Sequence, residues 1–211
     1  MNTKELIVFL AHIDDFECSC FGYLFKHHKE YTKIKIITAT TWQKKVDIWQ
    51  ENLRLLPNEI YNKIEDINLG FEQRKVRYYF DEIKDKFYNV INFKSRFDIL
   101  THDEKDCHTD HTGLYDIARG MYKYCNRFIT VYSPSSSHFA ANYYIGLSDK
   151  NYKIKKIAID KYNIDNEQSY TNLGYYLQSE EHYNIGRAHV LENYVFDDYQ
   201  YYEIYRIIKW L

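Results

Sequence analysis

Short apolar runs of five or six residues recur along the chain, each followed by a longer stretch whose apolar residues are spaced three and four apart. That alternation is the pattern of βα units, in which a buried strand feeds a helix that packs back on a largely parallel sheet. Leu6 to Ala11, Ile34 to Ala39, Ile64 to Leu69, Phe97 to Thr101 and Phe128 to Tyr132 read as strands. Between them the pattern predicts helices over 17–29, 46–56, 73–90 and 112–124, the third carrying an apolar stripe at Val76, Phe80, Ile83, Phe87 and Val90. Beyond Ser133-Pro134-Ser135 the reading is a strand at 142–147, an ambiguous segment at 151–160, a helix at 174–195 and a closing strand at 203–208. The expected fold is α/β, a Rossmann-like three-layer sandwich with a mostly parallel central sheet, and no linker or repeat divides the 211 residues into more than one domain.

Composition narrows the function classes. With 28 Lys+Arg against 30 Asp+Glu there is no summed positive field to hold a phosphate backbone, so nucleic acid is not an expected partner. The first apolar run is interrupted by His12 and Asp14 before it is long enough for a membrane span or a secretory signal, which makes the cytoplasm the expected location. Cys18, Cys20, Cys107 and Cys125 lack paired spacing and read as reduced thiols, the first two as packing residues. The 23 tyrosines accompany many Lys, Ile and Asn and are read as compositional drift rather than as a stacking platform.

Open parallel sheets bind ligands at the carboxyl ends of their strands. Two polar clusters stand at such ends: Ala11-His12-Ile13-Asp14-Asp15 after the first strand, and His108-Thr109-Asp110-His111 shortly after Thr101. Either alone serves equally well as a helix cap or as an acid placed at a positive helix end. Two such clusters on one sheet edge point instead to a metal site, because two imidazoles and a carboxylate are the donor set of an open catalytic zinc centre.

The order of these motifs resembles the LmbE-like or PIG-L family of zinc-dependent N-acetylglucosaminyl deacetylases, whose hallmarks are Ala-His-Pro-Asp-Asp-Glu and a later His-Pro-Asp-His. Weaker likeness extends to Gly22, Thr101-His102-Asp103, Asp106, the Ser133 to Ser137 stretch with Phe139, Asn142-Tyr143-Tyr144, Gly186 and Glu192. The resemblance implies that His12, Asp15 and His111 hold one Zn2+ per chain and that Asp14 is the general base. It also implies that His108 and Asp110 form a charged pair beside the metal, Asp110 orienting the His108 ring and favouring its imidazolium form. The implied reaction frees acetate and an amine from a small N-acylated amino sugar.

The chain departs from the pattern at Ile13, Phe16, Ser19, Phe21 and Thr109, and Phe16 and Phe21 are expected to add bulk beside the pocket. No substrate-binding arginine stands out near Lys44, Lys45 and Arg54. His27 and His28 read as a solvated face, His102 as a core histidine or a group beneath the metal, and His138, His182 and His189 as surface residues. Two alternatives remain. The segment Asp106 to His111 echoes the metallo-β-lactamase motif but has Asp106 where that motif needs His and leaves His12 unexplained. A non-catalytic sugar- and metal-binding relative is the other, against which Asp14 argues.

Overall fold

The computed structural model describes residues 4–163 and 201–210. Seven strands form one sheet: β1 (Lys4–Leu10), β2 (Lys33–Thr40), β3 (Ile64–Phe71), β4 (Arg96–Thr101), β5 (Arg127–Val131), β6 (Tyr143–Leu147) and β7 (Tyr201–Trp210). Their order is β3-β2-β1-β4-β5-β7-β6. The first five are parallel, and β7 runs antiparallel between β5 and β6. The helices are α1 (Asp15–Ser19), α2 (Phe21–His27), α3 (Val46–Leu53), α4 (Asn58–Tyr61), α5 (Phe80–Val90), α6 (Thr109–Arg119) and α7 (Asp149–Asp160). The chain leaves β1 for β2 on one side and returns to β4 on the other, so the order reverses between β1 and β4. A crevice opens beyond the carboxyl ends of strands at such a reversal.

Both faces of the sheet are covered, which is why β1 reads as a continuous apolar run rather than an alternating one. Leu6, Val8 and Leu10 pack with Phe16, Phe21, Leu24 and Trp49, while Ile7, Phe9 and Ala11 pack with Ile83, Phe87, Leu114 and Ile117. Phe16 and Phe21 are fully buried in the first of these layers, Phe16 standing 5.3 Å from both Phe21 and Trp49 by ring centroids. They fill the core and add no bulk at a pocket mouth, contrary to the sequence expectation.

Four helix expectations need correction, the one over 112–124 being realised as Thr109–Arg119. The helix expected over 17–29 starts at Asp15 and breaks at Cys20, whose φ of −126° and ψ of −12° are not helical, and it finishes in a 3-10 turn at His28–Glu30. His27 and His28 on it are buried rather than solvated. The helix expected over 46–56 stops at Leu53, and Pro57 opens α4 instead of merely ending its predecessor. The helix expected over 73–90 forms only from Phe80, because tertiary bonds claim the backbone before it. The backbone N–H groups of Arg74 and Val76 both donate to the Asp110 carboxylate, at 2.6 and 3.2 Å. Gly113 on α6 admits this loop: a Cβ there would come within 3.0 Å of Val76 Cγ1. The ambiguous 151–160 segment is α7. The helix expected at 174–195, with Gly186, His182, His189 and Glu192, lies outside the described residues.

Candidate metal centre

The loop leaving β1 and the segment from the end of β4 into α6 meet over the β1/β4 reversal. His12 is held at the strand end by its own backbone N–H, which donates to Asp15 Oδ2 at 2.8 Å. Its ring Nδ1 lies 3.2 Å from the same oxygen. From the other side His111, in the first turn of α6, brings Nε2 to 3.2 Å from His12 Nδ1 and 3.4 Å from Asp15 Oδ1. A tetrahedral ion with bonds of about 2.0–2.2 Å separates its ligand atoms by about 3.3–3.6 Å. Two imidazole nitrogens and the two oxygens of one carboxylate, Oδ2 toward His12 and Oδ1 toward His111, therefore stand close to that spacing, between residues 99 positions apart in the chain.

The charges fit a cation. Burial opposes protonation of His12, yet the carboxylates of Asp15, Asp110 and Asp14 outweigh it and raise its pKa to about 10. Burial likewise opposes a charged His111, while Asp15 and Asp106 carry its pKa up to about 9. Asp15, buried but facing three imidazoles, is held well below the carboxylate range. The carboxylates stabilise positive charge between these side chains, and a divalent ion bound there would supply it in place of the two protons.

Each imidazole has its far nitrogen anchored, as metal-ligating histidines do. His12 Nε2 lies 3.3 Å from Asp110 Oδ2. His111 Nδ1 lies 2.9 Å from Asp106 Oδ2. Asp106 is itself clamped by the Ser133 hydroxyl, by Ser135 Oγ at 2.5 Å and by the His108 backbone N–H at 2.8 Å. Burial opposes ionisation of Asp106, but His111 above all keeps it far below the usual carboxylate range. Beneath the site the fully buried His102 stacks on His111 with centroids 3.8 Å apart and planes 7° from parallel. Its Nε2 accepts the Ala11 backbone N–H at 2.9 Å, and burial together with the neighbouring His111 charge lowers its pKa to about 4, so it sits there as neutral imidazole.

Asp14 occupies the cap position of α1 but makes no capping hydrogen bond. Its carboxylate belongs to a group with His12 and Asp15 whose ligand atoms all lie within 4.8 Å of one another. His108 is the N-cap of α6, its Nδ1 accepting the Asp110 backbone N–H at 3.2 Å. Its ring is 4.9 Å from that of His12 and 4.5 Å from that of His111 by centroids. Burial and those two imidazoles lower its pKa, which favours a neutral ring with its proton on Nε2. The hydrogen bonds of the Asp110 carboxylate go to His12 and the 74–76 loop, while its charge opposes the lowering of the His108 pKa.

The six residues expected at the site, His12, Asp14, Asp15, His108, Asp110 and His111, thus converge. Sequence reasoning did not assign the serine clamp on Asp106 or the amides of Arg74 and Val76, and the apolar stripe through Val76 pointed the other way. Among the described residues no helix is long and apolar enough to cross a membrane.

No family model matches the sequence, and no curated protein matches it. Solved structures do match by shape. The N,N'-diacetylchitobiose deacetylase from Pyrococcus horikoshii superposes with a TM-score of 0.70 at 12% identity, over 98% of this chain and 84% of that one. The zinc-inhibited form of a teicoplanin deacetylase gives 0.59 at 12% identity, over 96% and 98%. A 4-carboxy-2-hydroxymuconate hydratase from Pseudomonas putida KT2440 gives 0.65 at 13% identity, over 98% and 96%. This chain therefore shares the fold of these deacetylases, the fold that the resemblance of its two motifs implied, and it is a fold that also carries a hydratase.

Proposed function

We propose that this protein is a metal-dependent N-deacetylase that releases acetate from a small N-acetylated amino sugar, with one Zn2+ held by His12, Asp15 and His111. The observation that carries this reading is the triangle of His12 Nδ1, His111 Nε2 and the Asp15 carboxylate: the two nitrogens are 3.2 Å apart, Asp15 Oδ2 lies 3.2 Å from the first and Oδ1 lies 3.4 Å from the second, and each ring has an anchored far nitrogen. The deacetylases of the same fold supply the reaction class. The four cysteines, all among the described residues, are not joined in disulfides, which suits the cytoplasm.

An ion in that triangle supplies Lewis acidity, polarising the acyl carbonyl and lowering the pKa of a water beside it. Asp14, next in sequence to a ligand and grouped with His12 and Asp15, takes the proton of the attacking water. His108, with Nδ1 occupied by an amide, presents Nε2–H to the carbonyl oxygen as negative charge builds there. As the C–N bond breaks, Asp14 returns its proton to the departing nitrogen, so that amide and water become acetate and amine. Asp110 and Asp106 hold the two imidazoles in place throughout.

The test is release of primary amine from a panel of N-acetyl sugars by the zinc-loaded protein and its Asp14→Asn variant. The variant should lose about 10²–10⁴-fold in rate while binding the ion normally, the usual contribution of a general base. A wild-type protein that binds ion and sugar but never frees acetate overturns the reading in favour of a binding module. One that adds water to an unsaturated carboxylate instead favours the hydratase chemistry of the same fold.

A further inference from the structure

Among the described residues, two that are not glycine have a left-handed backbone, Arg74 with φ of 62° and His138 with φ of 54°. Side chains with a Cβ rarely adopt this conformation, and it persists where surrounding structure enforces it, often at ligand clamps. Both residues stand on loops that grip the carboxylates behind the metal ligands. Arg74 lies between β3 and α5, its backbone N–H on Asp110 at 2.6 Å. His138 follows the segment whose Ser133 and Ser135 clamp Asp106.

Glycine or asparagine would hold the 74 position with little strain. The chain instead places there a planar cation with five N–H donors. A single carboxylate oxygen separates the Arg74 amide from the His12 ring, which fixes the base of this side chain at the edge of the site. Its neighbours are engaged: Lys75 pairs with Glu72 at 2.8 Å, and Arg77 donates to Thr112 Oγ1 at 3.2 Å. Arg74 is exposed, and among the described residues its guanidinium has no carboxylate partner. The nearby acids do not compete for it, since Asp15 and Asp110 already face imidazoles and Asp110 also takes two backbone amides.

We propose that Arg74 is a specificity-determining residue whose guanidinium binds an oxyanion, phosphate or carboxylate, carried by the part of the substrate that leaves with the amine. The inference rests on the deacetylase reading for what the substrate is, and on the loop geometry for where its charge is held. A guanidinium grips two oxygens of such a group at once, which lysine cannot do in the same geometry.

The experiment is calorimetric titration of the zinc-loaded full chain with N-acetylglucosamine 1-phosphate, N-acetylmuramic acid and the neutral methyl N-acetylglucosaminide. Wild type, Arg74→Asn and Arg74→Lys are compared, with thermal unfolding showing that each is folded. Wild type should bind one anionic sugar about tenfold or more tightly than the neutral one, the scale of one charge-assisted hydrogen-bonded contact. Which anion is preferred identifies the group. Arg74→Asn, which tolerates the left-handed backbone, should abolish the preference, and Arg74→Lys should keep part of it. Equal affinities in wild type, or a preference that survives in Arg74→Asn because the anion sits on the metal, overturn the proposal. Absence of amine release from every sugar would sink the deacetylase reading and leave this binding ratio as a separate result.

Discussion

Asp110 Oδ2 lies 3.3 Å from His12 Nε2, on the side of the ring opposite the nitrogen that faces Asp15 and His111. The same carboxylate accepts the backbone N–H groups of Arg74 and Val76, so one side chain ties the ligand from β1 to the loop after β3. Those amides and His12 hold Asp110 below the usual carboxylate range against the effect of its burial. Asp110→Asn should weaken zinc binding by about 10–100-fold, the usual effect of removing the partner of a ligating histidine. Competition against a chromophoric chelator measures this, and an unchanged affinity would contradict the orienting role.

A second carboxylate is structural. Glu203 on β7 and Lys155 on α7 form an ion pair at 3.0 Å with side chains 2% and 3% exposed. Glu203 also accepts the Tyr205 hydroxyl, and Lys155 donates to the Cys18 carbonyl at 2.7 Å. Lys155→Met strands a buried carboxylate and should cost about 3–5 kcal/mol, whereas the double change Lys155→Met with Glu203→Gln should cost less. Urea unfolding of the three proteins distinguishes the cases. A single variant as stable as wild type would show that the pair is not buried in solution.

The parallel core was legible because strands covered on both faces must be apolar throughout, and Leu6 to Ala11 announces β1 for that reason. The site was legible because His12 and Asp15 follow closely on β1 and His111 stands at the start of α6, elements that the hydrophobic pattern locates. The 73–79 loop was not. Val76 is buried and continues the spacing of α5, but it is buried against Gly113 of α6, and Asp110 captures the amides that a helix would have needed. Local periodicity records that a residue is buried without recording which element covers it. The same limit misplaced Phe16 and Phe21 at a pocket mouth and His27 in solvent, where it instead bridges Glu30 and Tyr143.

That bridge sets an acid limit. Glu30 meets His27 Nδ1 at 2.5 Å and Lys4 at 3.4 Å, and it pairs with Arg127. Burial would raise its pKa, but the hydrogen bonds from His27 and Arg127 prevail and lower it from 4.5 to about 2. A carboxylate depressed in the folded state stabilises that state at pH above the unfolded value and loses the contribution as pH falls through the folded one. Wild type should therefore lose stability between about pH 4.5 and pH 2 more steeply than Glu30→Gln. Parallel urea titrations across that window check the slope, and identical slopes would remove Glu30 from the acid response.

The most direct test of the metal centre is anomalous diffraction at the zinc edge from crystals of the zinc-loaded protein. One ion should appear per chain, bonded to His12 Nδ1, an Asp15 oxygen and His111 Nε2 at about 2.0–2.2 Å, with a further coordination position open to solvent. Zinc absent from that triangle, or bound elsewhere with His12 and His111 still facing each other across an empty gap, would contradict the account.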